Sequence, residues 1–233
     1  MGNGDSVLKI DCGDGALVSA MFSLPPKAQF CYVFAHGAGA GMQHAFMAAL
    51  SARLGERGVA TLRFQFPYME RRSARTDPPR IAHAAVRAAV SKAKDLMPDA
   101  ALFAGGKSFG GRMTSQAQSV LPLSGVGGLI FVGFPLHPAG KPAIDRAEHL
   151  SNVHCPMLFL QGTRDDLADV SLMSNVVMRL GDRATLKIFE DADHSFHVRA
   201  RSGQTDIQVL NSLADAMVDW MSWEASATRP VQP

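Results

Sequence analysis

Cysteine is scarce: the 233-residue chain has three, Cys12, Cys31 and Cys155. They are odd in number and form no CxxC or metal-like spacing, which excludes a disulfide scaffold and a zinc module and suits free thiols in a reducing cytoplasm. Charge of one sign is also lacking. Lys+Arg 23 against Asp+Glu 21 leaves a formal net charge of +2, and like charges form no run. A polyanion-binding protein normally carries a basic stripe, so nucleic acid is not an expected partner. The apolar runs fall far short of the roughly 20 residues that a membrane-spanning helix needs. The start, Met1-Gly2-Asn3-Gly4-Asp5, lacks the basic and apolar regions of a signal peptide, so no membrane partner is expected. No period of 20 to 50 residues recurs, which sets aside repeat architectures. No Pro/Gly/Ser-rich linker divides the chain, and its length is enough to bury a core without metal or disulfide staples.

What is present is an alternation of two kinds of apolar segment. Short β-rich runs lie at Ser6–Ile10, Leu17–Leu24, Phe30–Ala35, Val59–Phe64, Ala101–Ala104, Gly128–Val132, Met157–Gln161 and Thr185–Phe189. Gly13-Asp14-Gly15 between the first two predicts an antiparallel hairpin. From the third run on, most are separated by stretches of helical periodicity. About Gln43–Arg57, the residues Phe46, Met47, Leu50 and Leu54 share a face; after Pro78-Pro79 the stripe is Ile81, Ala85, Val86, Ala89, Val90, Ala93 and Leu96; about Thr205–Trp223 it includes Ile207, Leu210, Leu213, Met217 and Met221. Strands alternating with such helices predict a mostly parallel, eight-stranded α/β sheet covered on both faces. One domain over 1–223 and a C-terminal tail over 224–233 are expected.

Gly105-Gly106-Lys107-Ser108-Phe109-Gly110-Gly111 directly follows the fifth run and precedes a helical stretch, Arg112–Val120. It contains G-x-S-x-G, and its place between strand and helix is the context this motif requires: a sharp turn that lifts a serine hydroxyl above the sheet edge, with glycine where side chains would collide. The glycines match neither a P-loop nor a Rossmann G-x-G-x-x-G, so no nucleotide cofactor is implied. No His/Cys/Asp/Glu cluster has convincing metal spacing either. A serine alone is a poor nucleophile and needs a general base with a group that orients it.

Together with His36-Gly37 after the third run, Gln161–Asp165 after the seventh and Asp193-His194-Ser195-Phe196 after the eighth, this elbow resembles the α/β-hydrolase fold, in particular its small, lid-poor, dienelactone-hydrolase-like members. The runs His36–Met42 and Gly105–Met113 also resemble a branch that includes the scaffold subunit of the NSL chromatin complex. The hydrolase resemblance implies the chain order Ser, acid, His. Ser108 is then the nucleophile and Asp165 the acid, with Asp166 and Asp169 as neighbours that helix capping explains equally well. His194 is the base, with His197 three residues on as the alternative. One oxyanion donor is the N–H of Phe109, after the nucleophile; the resemblance puts the second at Ala38, and Gly39 stays open. His36 is expected to brace this loop.

Ligands of open α/β sheets bind outside the carboxyl ends of the strands. That brings in, beside Gly39, two further loops as candidate substrate contacts: Phe66–Pro78, with Tyr68, Arg71 and Arg75, whose arginines could meet an anionic substrate or belong to a solvated loop, and Phe134–Pro142, with Leu136 and with His137 as contact or plain loop residue. Only about 20 residues separate the sixth run from Pro156, so a large lid has no room and the pocket should be shallow. The expectation is a cytoplasmic serine hydrolase of small esters, thioesters or lactones, without cofactor; oligomeric state is open. A non-catalytic binding or scaffold protein on the same fold is the alternative, since fold does not fix function.

Overall fold

Central runs such as Phe30–Ala35 are apolar at every position rather than at alternate ones, the pattern of strands covered on both faces. In the computed structural model, which describes residues 5–13 and 15–227, Cys31 through Ala35 and all of Val59–Phe64 are buried. The strands are β1 Ser6–Asp11, β2 Leu17–Ser23, β3 Phe30–Ala35, β4 Val59–Phe64, β5 Ala101–Lys107, β6 Val126–Val132, β7 Met157–Arg164 and β8 Ala184–Asp193, in one sheet of order β1-β2-β4-β3-β5-β6-β7-β8. Pairing is parallel from β4 to β8, while β2 runs antiparallel to both its neighbours. The first two runs form the expected hairpin; Asp14 of its turn lies outside the described residues.

The helices are α1 Ala45–Gly55, α2 Pro67–Glu70, α3 Pro79–Leu96, α4 Phe109–Val120, α5 Val170–Leu180 and α6 Asp206–Ala227. Side chains of a strand alternate between faces, and this divides the core in two. Cys31, Val33 and Ala35 of β3 join the layer of α3, α4 and α5, while Tyr32 and Phe34 join α1 and α6. Several boundaries differ from expectation by one to four residues, and three differences matter most. Residues 224–227 continue α6 rather than starting a tail, and 228–233 lie outside the described residues. The loop after β4 opens with the short turn α2, for which Pro67 at a first helical position was the available signal. β8 runs on to Asp193, so the turn bearing His194 leaves the sheet directly instead of following a five-residue polar segment. Between β6 and β7 there is one 3₁₀ segment, Asp145–Asn152.

Candidate active site

The turn from β5 into α4 is made by backbone contacts that exclude side chains. A Cβ on Gly106 would stand 2.3 Å from the Ala35 carbonyl oxygen, and one on Gly110 2.4 Å from the same atom. Both glycines are therefore required by close approach to β3. Between them Ser108 has φ 50° and ψ −115°, a conformation that L-residues hold only under strain of roughly 1–3 kcal/mol. The strain points the hydroxyl out of the turn, above the sheet edge.

The ends of β7 and β8 bring two partners to it. His194 Nε2 lies 2.9 Å from Ser108 Oγ, and His194 Nδ1 lies 2.7 Å from Asp165 Oδ2. A carboxylate facing Nδ1 fixes the proton there, which leaves Nε2 as the acceptor facing the serine. Asp165 is itself fully engaged: Oδ1 accepts the Leu167 N–H at 2.8 Å and Oδ2 also accepts from the buried Gln161 amide. Its side chain is 1% exposed, that of His194 24%. Asp169 caps α5 by accepting from Ser171 and Leu172 N–H, and His197 faces Asp206 at 2.7 Å. The structure thus brings together Ser108, Asp165 and His194, and sends the alternatives elsewhere.

The loop after β3 supplies backbone donors. Gly39 N–H donates to Tyr68 Oη at 3.0 Å, whereas the N–H groups of Ala38 and Phe109 have no acceptor among the described residues. Two unused amides beside Ser108 Oγ are what an oxyanion site needs. His36 ties the loop down: Nδ1 donates to Gly37 O at 2.7 Å and Nε2 accepts Phe66 N–H at 3.1 Å. Burial lowers its pKa to about 4, so the ring is neutral. Phe66 packs edge-on against the ring and Tyr68 lies tilted to it, with Phe109 edge-on to Phe66 behind them.

A cavity of about 680 Å³ opens on Ser108 and His194, running between the start of α1 and the start of α6. Ala40, Ala45, Phe46, Ala49, Ile207 and Leu210 give it an apolar wall. None of the expected contacts Gly39, Tyr68, Arg71, Arg75, Leu136 and His137 is among its lining residues. Tyr68 is fully buried beneath the loop after β3. The Arg71 guanidinium binds the buried Asp77 at 2.6 Å, whose other oxygen accepts Tyr68 N–H. Arg75 is exposed, with its N–H on Ser73 Oγ in its own loop. Leu136 is buried in the core, and His137 joins two loops, donating to Pro138 O and accepting Asp169 N–H. The cavity wall was missed because Phe46, Ile207 and Leu210 carry the same apolar stripe as the core residues of their helices, and sequence does not tell where a stripe outruns its partner. Lys107, which also lines the cavity, was hidden at a variable position of the elbow.

The model of the α/β hydrolase domain matches residues 28–222. The chain belongs to the α/β hydrolase family. Among solved structures, this hydrolase is similar to an α/β serine hydrolase without lid from Xanthomonas campestris, at 21% identity and TM-score 0.72 over 100% of this chain and 99% of that one. It is also similar to a dienelactone hydrolase from Anabaena variabilis (18% identity, TM-score 0.75, 94% and 97% covered). Est1E from Butyrivibrio proteoclasticus is a third (17%, 0.71, 94% and 99%). The hydrolase shares their fold and, with only the 3₁₀ segment between β6 and β7, is of the small lidless kind.

Proposed function

We propose that this hydrolase cleaves neutral carboxylic esters with an apolar acyl group through a Ser108–His194–Asp165 triad. The observation that carries the reading is the relay at 2.9 and 2.7 Å with two free amides beside it. His194 Nε2 takes the proton of Ser108 Oγ as the oxygen attacks the carbonyl, and Asp165 stabilises the imidazolium that forms. Ala38 and Phe109 N–H hold the oxyanion. The same histidine then protonates the leaving alcohol, and an activated water releases the acid from the acyl-enzyme. The apolar wall supports an apolar acyl group, and the absence of the loop arginines from that wall weighs against an anionic one. Thioesters and lactones present the same carbonyl chemistry and are accepted on the same grounds. The three unpaired thiols support a reducing compartment such as the cytoplasm.

The test is labelling by a fluorophosphonate probe alongside turnover of p-nitrophenyl esters. Wild type is expected to label and turn over. Ser108→Ala and His194→Ala should not label and should lose about 10⁴-fold or more in kcat. A folded wild type that neither labels nor hydrolyses ester overturns the reading.

A further inference from the structure

Lys107 stands one residue before Ser108, and no step above uses it. Its side chain runs beneath the oxyanion loop, where a Cβ on Gly37 would lie 3.7 Å from Lys107 Cγ. Its Nζ donates to the backbone carbonyl of His194. It sits 6.0 Å from the ring centre of Phe46 on α1 and 5.6 Å from that of Phe196. Gly133, at the end of β6, opens this seat: a Cβ there would be 2.9 Å from Nζ and 3.5 Å from both Cε1 and Nδ1 of His194. The ammonium and the imidazole thus share one notch.

The other backbone hydrogen bonds of residues 194–197 lead back to Asp193 of their own strand. Ser195 and His197 N–H donate to Asp193 Oδ1, and Phe196 N–H donates to Asp193 O. Lys107 instead joins the turn's backbone to the elbow that carries Ser108. An ammonium is an expensive way to fill such a seat. Burial lowers its pKa to about 8, against the opposing pull of the Asp165 and Asp193 carboxylates. A methionine would fill similar space without desolvating a charge. Packing alone does not account for the residue.

We infer that Lys107 is a positioning residue, which holds the His194 carbonyl so that the imidazole stands at the right height over Ser108 Oγ. The inference rests on the triad reading above and adds to it a group whose ammonium bonds the His194 backbone rather than a reacting atom. Charge-assisted hydrogen bonds are roughly twice as strong as neutral ones. The hold is therefore firm while Lys107 is protonated and slackens as pH rises through about 8. The groups facing the ammonium are Asp165, Asp193, His194 and the Phe46 and Phe196 rings, with the His197–Asp206 pair at the cavity rim.

The experiment compares pH profiles of kcat and KM for wild type, Lys107→Met and Lys107→Arg on p-nitrophenyl butyrate, with a thermal melt and fluorophosphonate labelling of each. Wild type should lose kcat on an alkaline limb near pH 8. Lys107→Met should show kcat lower by roughly tenfold to a hundredfold, the effect of a small misplacement at a reacting centre, with KM within about twofold, no alkaline limb, and a melting temperature at pH 7 no lower than wild type. Lys107→Arg keeps its charge at every accessible pH, and should recover part of kcat and abolish the limb. Wild-type kcat in Lys107→Met, or a limb near pH 8 that persists in both variants, overturns the inference. A wild type inert to probe and ester overturns the triad reading itself. A Lys107→Met that labels as fast as wild type defeats the positioning role alone.

Discussion

Tyr68 shows how a single side chain sets the loop after β3, which is proposed to hold the oxyanion. Its hydroxyl accepts Gly39 N–H, its own N–H is held by Asp77, and its ring lies against Phe66 and Phe109. Tyr68→Phe keeps the packing and deletes the acceptor, so the Gly39 amide is released and the neighbouring Ala38 amide loses its aim. Since losing an oxyanion donor outright lowers kcat by about 10²–10³, kcat should fall roughly tenfold with KM little changed, measured on p-nitrophenyl butyrate. An unchanged kcat would show that the loop holds itself. That Ser108, Asp165 and His194 meet at one sheet edge was legible in the sequence, because strand-end position, chain order and resemblance narrowed each choice to one or two residues. Tyr68, Arg71 and His137 were not. Each lies on a loop at the correct edge of the sheet, but which way a loop side chain turns depends on partners far along the chain, such as Asp77 for Arg71 and Asp169 for His137.

At the scale of elements, α1 and α6 pack together through Leu50, Leu54, Leu213 and Met217, and part at their N-terminal ends, where the small Ala45 and Ala49 face Ile207 and Leu210 across the cavity. Burying a methylene is worth about 0.8 kcal/mol, or roughly fourfold in kcat/KM where the groove receives it fully. Hydrolysis should therefore strengthen from p-nitrophenyl acetate through butyrate to hexanoate. Ala49→Phe should flatten that series by closing the gap while leaving acetate near the wild-type rate. A flat series in the wild type would place the acyl group elsewhere. All eight strands were legible: β3 to β7 as apolar blocks buried on both faces, and β1, β2 and β8 as short β-rich runs that keep an exposed face. Their ends were less so: β8 continues through Glu190-Asp191-Ala192-Asp193, a mostly polar stretch that breaks register with β7 after Phe189 and pairs again at Arg164 and Asp193.

Over the whole molecule, the sheet's two layers depend on different helices, and α6 carries much of one of them. Trp220 packs its ring 5.8 Å from Phe103 and over Gly128, where a Cβ would stand 2.6 Å from the indole. Its Nε1 is buried without a hydrogen-bond partner. Trp220→Ala should lower stability by about 3–5 kcal/mol and the melting temperature by roughly 6–20 °C. Trp220→Phe, which also removes the unpaired N–H, should lose less than half as much. Equal losses in thermal melts would show that the indole nitrogen carries no penalty. Both variants, assayed well below their melting points, should retain esterase activity, because Trp220 lies outside the cavity wall.

The connection between β6 and β7 carries one 3₁₀ segment and no covering domain. An enzyme without a door cannot use closure to sort its substrates, since there is no motion for the correct one to drive and the wrong one to miss. Selection in this hydrolase then falls on the fixed shape of the wall between α1 and α6. On the proposed reading, in which the acyl group lodges there, the hydrolase should be particular about the acid it releases and indifferent to the alcohol, which projects into water.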